Sequence, residues 1–208
     1  LVPQAGFELD CSRACAVELS LDSISILSTN QQIRTQENLL RKVLLEADTG
    51  ESLAPLATDT GGNVYTDFLA PRFRALQNAV QAEDAEAACI AAERFAGCGM
   101  GLTPSSDDLL CGYLATKWLL SREQGRAGRI TLLSSIAAAA ARKTTRISAS
   151  FLLYCGEGLV HLSLYELYAE LFRNADEEET LAAARRILAI GSTSGADLLT
   201  GVALALQE

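Results

Sequence analysis

The sequence predicts a mainly α-helical protein, a multi-helix domain with a small β-containing N-terminal segment. Three observations carry that expectation. Apolar residues recur at helical spacing from about residue 32 onward, glycines punctuate the gaps between those stretches, and strand-like alternation is confined to the first thirty residues.

Taken in order, residues 7–28, FELDCSRACAVELSLDSISILS, alternate apolar and polar from Val17 to Leu27, which argues for one or two strands. The chain starts at Leu1, and segment 1–30 is read as the edge of a processed or truncated piece; no secretory signal is legible in it. Residues 31–208 are assigned to the helical domain. IRTQENLLRKVLLEA places Ile33, Leu40, Val43 and Leu44 on one helical stripe. DTGESLAPLATDTGGNVYTD, residues 48–67, is rich in Gly, Thr, Asp and Pro and predicts a long loop at a functional place or a joint. Helices are then expected over roughly 69–81, 84–96, 106–121, 129–154, 158–173, 177–190 and 194–207. Asp176 and the three glutamates after it fit a helix start, where acids complement the helix dipole.

Composition narrows the partners. The net charge of −9 argues against nucleic acid, which selects basic surfaces. No apolar run is long enough for a membrane helix, so neither nucleic acid nor membrane is expected as a partner and the expected location is cytoplasmic. Six cysteines without a C-x-x-C pair, beside one histidine, His161, read as free thiols rather than a zinc site. Cys98 and Cys111 lie within the glycine-rich stretch and are the thiols nearest any ligand there. His161 reads as a packed or surface residue.

Two motifs stand out. GCGMGLTPSSDDLLCG (97–112) and GSTSGADLLTG (191–201) align with one gap, pairing Gly101, Thr103, Asp108, Leu109, Leu110 and Gly112 with Gly191, Thr193, Asp197, Leu198, Leu199 and Gly201. Each reads as a helix start: Ser105-x-x-Asp108 and Ser194-x-x-Asp197 have capping-box spacing, and Pro104 suits a first turn. Gly112 and Gly201 fall one turn inside, where glycine costs about 1 kcal/mol against alanine, and this signals a close helix–helix approach. Helix N-termini also attract anions. The two motifs are therefore expected to converge on one site, with Asp107, Asp108 and Asp197 as the catalytic candidates. Gly99, Gly101, Thr103, Ser105, Thr193, Ser194 and Gly195 are the candidate binders of an anionic group. Two aspartates beside a phosphate repel it unless a cation intervenes, which makes Asp107 and Asp108 a candidate Mg²⁺ pair. Arg146, in a basic zone running from Arg122 to Arg146, is a further candidate for an anionic substrate.

The two motifs resemble the G-x-G-x-G-L-T-P-S-G-D-D-x-L-x-G and G-x-T-S-G-A-D-x-L-x-G signatures of the oxamate carbamoyltransferase subunit AllH-like proteins. The resemblance covers roughly residues 70–208. Gly99, Gly101, Leu102, Thr103, Pro104, Ser105, Asp107 and Asp108 match the first signature, and Thr193, Ser194, Gly195, Ala196 and Asp197 the second. Ser106 replaces the usual glycine, and Met100 stands where a proline or small residue is frequent. The resemblance implies a transferase subunit that works with other protein subunits in allantoin breakdown, a purine-degradation route, where oxamate and carbamoyl phosphate are interconverted with oxalurate and phosphate. It implies a small anionic metabolite of the carbamoyl phosphate or oxamate type as ligand. The residues leave two alternatives open: a non-catalytic partner or regulatory subunit with structural motifs, or a metal-dependent hydrolase of a small molecule.

Overall fold

The computed structural model describes residues 10–14, 19–47, 49–173 and 176–207. Among these, ten α-helices form: α1 Asn30–Glu46, α2 Pro55–Thr58, α3 Val64–Gln81, α4 Ala85–Phe95, α5 Ser105–Glu123, α6 Ala127–Ala141, α7 Arg146–Gly156, α8 Leu162–Phe172, α9 Glu177–Leu188 and α10 Ser194–Gln207.

Helices α5 and α10, the two that the motifs begin, run through the middle of the molecule. Every residue of α10 from Gly195 to Leu206 is buried, and α5 is buried around most of its circumference. A helix apolar on all sides needs neighbours on all sides. Helices α1, α2 and α9 cover α10, while α6 and α7 cover α5, and α3 and α4 pack as a pair whose second member leans on α6. Aromatic contacts fix part of this arrangement: the Phe73 ring meets Phe95 at 5.4 Å and Tyr113 edge-on at 5.2 Å, joining α3, α4 and α5. On the other side, the Tyr168 hydroxyl lies 2.8 Å from Thr116 Oγ1, tying α8 to α5.

The α5–α10 crossing depends on two glycines. A Cβ on Gly112 would collide with the Leu198 carbonyl oxygen and crowd Val202 N. A Cβ on Gly201 would collide with the Leu109 carbonyl oxygen and crowd Tyr113 N. Leu109 and Leu198 are equivalent residues of the two motifs, as are Gly112 and Gly201, so the contact is reciprocal about a local pseudo-twofold axis. The close approach expected from glycine one turn into each helix is met.

Three expectations need correction. The alternating N-terminal stretch is not a strand where it is described; residues 7–9 and 15–18 of it lie outside the described residues. From residue 19 to 28 the chain is an extended strap with a 3₁₀ turn at Leu21–Ser23 and one isolated bridge, Ser20 to Leu159. Its alternation is satisfied by laying Leu21 and Ile24 into the helical core, and its backbone bonds to Gly158 and Phe172 carbonyls instead of to a second strand. Second, the single helix expected over 129–154 is two. Thr145 caps α7 by accepting from Ser148 N, and the chain turns at residues 142–145. Third, the long loop at 48–67 contains α2 and the start of α3, whose N-cap Asn63 accepts from both Tyr65 N and Thr66 N. Asp176 caps α9 as expected, accepting from Glu179 N at 2.8 Å.

Candidate functional site

The glycine-rich turn before α5 is held in a definite shape. Gly97, Gly99 and Gly101 all have positive φ, a region costly for other residues. At Gly99 there is also no space for a side chain, because a Cβ would strike Ser105 N. Ser106 sits inside the helix and needs no left-handed backbone. It clasps the turn instead: Cys98 N donates to Ser106 Oγ at 2.9 Å, and Ser106 N donates back to Cys98 O at 3.0 Å.

The adjacent aspartates point to different places. Asp107 is fully buried and accepts on both oxygens: from Gly97 N at 2.8 Å and Ser106 Oγ at 3.4 Å on Oδ1, and from Ser148 Oγ at 2.8 Å and the Thr144 hydroxyl on Oδ2. It joins the turn to the α6–α7 junction. Asp108 faces the other way, toward α10. The hydroxyls of Thr103 and Ser194 lie against Asp108, and those of Ser105 and Thr193 lie against Asp197. Each acid thus takes a threonine from its own motif and a serine from the other. Thr103 and Ser194 also meet, Oγ1 to Oγ at 3.3 Å.

The pair is symmetric in its hydroxyls and asymmetric in its surroundings. Asp197 is fully buried, and Asp197 Oδ1 receives the Leu53 N–H at 2.6 Å from the segment before α2. Asp108 lines an open chamber. Burial pushes the Asp108 carboxyl up to about 7, against the pull of Ser194 and Thr103 and helped by the negative charge of Asp197 and Asp107. Burial pushes Asp197 up to about 6, with the Leu53 N–H and the Ser105 and Thr193 hydroxyls drawing it down. Both acids keep one oxygen, Oδ2, buried and without a hydrogen-bond partner. A buried carboxylate oxygen without a partner is costly to ionise, in keeping with the raised values of both acids.

Two chambers meet at Thr103 and Ser194. One, of about 440 Å³, is mixed: the hydroxyls of Thr103, Ser105, Ser192, Thr193 and Ser194 at the two helix starts share it with Gly101, Met100, Leu102, Tyr65 and Glu51. The other, of about 630 Å³, is largely apolar, with Asp108 and His161 in its lining. A model of the oxamate carbamoyltransferase subunit AllH family matches residues 95–206. The chain belongs to this family. The matched span runs from the end of α4 through both motifs to the end of α10, so this AllH-family region contains both acids and the hydroxyls around them. No solved structure matches the chain.

Not every candidate residue gathers here. Arg146 is exposed at the first position of α7 and lines neither chamber. Its basic neighbours serve elsewhere: Arg122 donates to Asp22 O at 2.9 Å and holds the N-terminal strap, while Arg142 and Lys143 pair with Glu93 at 2.7 and 3.8 Å. Gly195 packs α10 against the Ile187 carbonyl of α9, and Gly99 supports Ser105; neither lines a chamber. Cys98 lines neither chamber, whereas Cys111 and Cys155 line the apolar one together. The hydrogen bond with Cys155, then burial, hold the Cys111 thiol well above its ordinary range. His161 caps α8, accepting from Leu164 N at 3.4 Å, and lines the apolar chamber; burial lowers its pKa.

Sequence reasoning missed the Leu53 N–H, the Thr144 and Ser148 hydroxyls and the α7 aromatics Phe151 and Tyr154. Thr145-x-x-Ser148 was the available signal for the α7 cap. Among the described residues no group of three or more His, Cys, Asp or Glu is placed to hold a metal ion, and no helix is long and apolar enough to cross a membrane.

Proposed function

We propose that the chain is a subunit, or a relative of a subunit, of an oxamate carbamoyltransferase, and that it binds a small anionic substrate of the carbamoyl phosphate or oxamate type where α5 and α10 begin. The observation that carries this reading is the reciprocal pair Asp108 and Asp197, each with a buried, unpartnered Oδ2 beside two hydroxyls. Both ligands combine an anionic end with an amide NH₂. The anionic end suits the hydroxyl-rich chamber, where Thr103, Ser105, Ser192, Thr193 and Ser194 supply donors. The NH₂ suits the aspartates, which supply acceptors. Burial of the acids also supplies groups that titrate near neutrality, as proton transfer requires.

Asp107 is engaged on both oxygens, which supports a role in holding the turn in place. In this reading Asp108, which lines a chamber, meets the ligand, while Asp197 is fully buried, lines neither chamber and acts from behind it. If Mg²⁺ takes part, Asp108 and Asp197 are its protein ligands, since they carry the free oxygens. The family name is that of a subunit, which supports assembly with other protein subunits.

A purely structural reading of the motifs is favoured by the α5–α10 crossing, which accounts for Gly112 and Gly201. It leaves two buried carboxylate oxygens without a purpose. Asp108→Asn separates the readings. Carbamoyl transfer between carbamoyl phosphate and oxamate, assayed with the partner subunits present, is expected to fall by about a hundredfold or more. Oxamate binding to the chain, followed by calorimetry, is expected to weaken while the melting temperature holds. Full activity with unchanged oxamate affinity would leave the structural reading standing.

A further inference from the structure

Two members of the basic zone between Arg122 and Arg146, Arg126 and Arg129, line a separate pocket near the far end of α5. The wall there includes Leu120, twelve residues beyond Asp108 and so about 18 Å along the helix axis. The pocket, of about 350 Å³, gathers Arg34 from α1, Lys117 from α5, and Arg126 and Arg129 from the start of α6. None of its described lining residues is acidic, in a chain whose net charge is −9. Asn30 and Gln124 add neutral polar groups. Existing contacts account for part of this charge. Lys117 Nζ donates to the Ala205 carbonyl at 2.9 Å, the ordinary use of a cation near a helix C-terminus. Glu83 pairs with Arg126 and lies 3.9 Å from Arg129 Nη1. Three arginines thus meet one glutamate, and Arg34 makes no ion pair among the described residues. Position sharpens the excess. Arg126 is the N-cap of α6 and Arg129 its third residue, and neither α6 nor α1 carries an acid in its first turn. A cation at a helix N-terminus opposes the dipole, whereas an anion there is favoured.

We infer that this pocket binds a small, multiply charged anion, a metabolite carrying phosphate or several carboxylates, held by Arg34, Arg126 and Arg129. The planar fork of arginine suits either kind of oxyanion, and the volume is that of a small-metabolite site. Cations on a merely solvated face would spread apart to lower their repulsion. Here Arg34 and Arg126, about ninety residues apart in sequence, are brought into one concavity. The inference goes beyond the small-anion reading, because the pocket shares no lining residue with either chamber at the starts of α5 and α10. Its occupant is therefore not the molecule that meets Asp108.

The test titrates the full chain by calorimetry at low salt with pyrophosphate and with citrate, and with acetate as the singly charged control. At least one of the two polyanions is expected to bind about tenfold or more tightly than acetate, and to weaken as salt is raised. The tighter of the two distinguishes a phosphate ligand from a polycarboxylate. Arg34→Ala, a change at an exposed side chain, should weaken that polyanion by about fivefold or more while the melting temperature holds. Arg126→Ala should weaken it likewise. Oxamate affinity should stay the same in both variants, and saturating oxamate should not displace the polyanion. Absence of polyanion binding overturns the inference, as does binding that both arginine variants leave intact. Intact binding that oxamate displaces puts the polyanion at the starts of α5 and α10 and leaves the small-anion reading standing. Polyanion binding that the arginine variants weaken, in a chain that does not bind oxamate, does the reverse.

Discussion

Asp107 and Asp108 differ because a helix turns successive side chains by about 100°. In the first turn of α5 that rotation sends Asp107 toward the α6–α7 junction and Asp108 toward α10. Asp107 then anchors the Gly97 N–H and the Thr144 and Ser148 hydroxyls in a fully buried place. Asp107→Ala leaves these donors unpaired and is expected to destabilise the fold by roughly 3 kcal/mol or more. Asp107→Asn, which keeps one acceptor, should lose less; both are read by urea unfolding. An Asp107→Ala variant as stable as the parent would mean that the junction does not depend on it. Sequence alone shows two adjacent acids as one pair. What separates them, Thr144 and Ser148, lies about forty residues away, and no local pattern links those hydroxyls to Asp107. The equivalence of Asp108 and Asp197, by contrast, was legible, because D-L-L-x-G repeats with the same hydroxyl four residues before the leucine pair.

At the scale of elements, the crossing of α5 and α10 organises the rest. Alanine is the better helix former by about 1 kcal/mol, so Gly112→Ala and Gly201→Ala would stabilise isolated helices. In the protein each added methyl strikes a carbonyl oxygen of the opposite helix, and both helices are buried along most of their length. Each variant is expected to destabilise by about 1–3 kcal/mol, the range for overpacking. Gly128→Ala in the first turn of α6 is the control: a Cβ there meets nothing within 4 Å, so it should be neutral or stabilise by up to about 1 kcal/mol. Thermal or urea unfolding of the three variants decides the matter, and equal behaviour of Gly128→Ala and Gly112→Ala would refute the close crossing. The helical class and this crossing could be read from period and glycine placement. The break between α6 and α7 had only one faint signal, Thr145-x-x-Ser148, at the end of an alanine-rich run that otherwise continues the helical pattern. The N-terminal strap misled in the opposite sense: alternation records which side of an extended chain is buried, and here the burying surface is a set of helices.

For the whole molecule, the two buried acids make stability depend on pH in an unusual direction. Most carboxylates in folded proteins favour the native state as pH rises from acid. Asp108 and Asp197 are raised from 3.8 to about 7 and about 6, so the native state holds their protons more tightly than the unfolded chain. Their contribution is complete below about pH 4 and is lost as pH climbs through 6 and 7. For Asp197 the loss is on the order of 3 kcal/mol between those limits. The rest of the acidic chain obscures this, so a difference measurement is required. Asp108→Asn/Asp197→Asn, compared with the parent by urea unfolding at pH 5 and pH 8, should gain relative stability at pH 8. A constant difference at both pH values would show that neither acid is held protonated. The same strain gives the site its leverage. A ligand that brings an N–H donor or a cation to the free oxygens favours the ionised acids and offsets what burial costs them. Such a ligand should therefore raise the melting temperature of the parent by more at pH 8 than at pH 5, and the double variant should lose that difference.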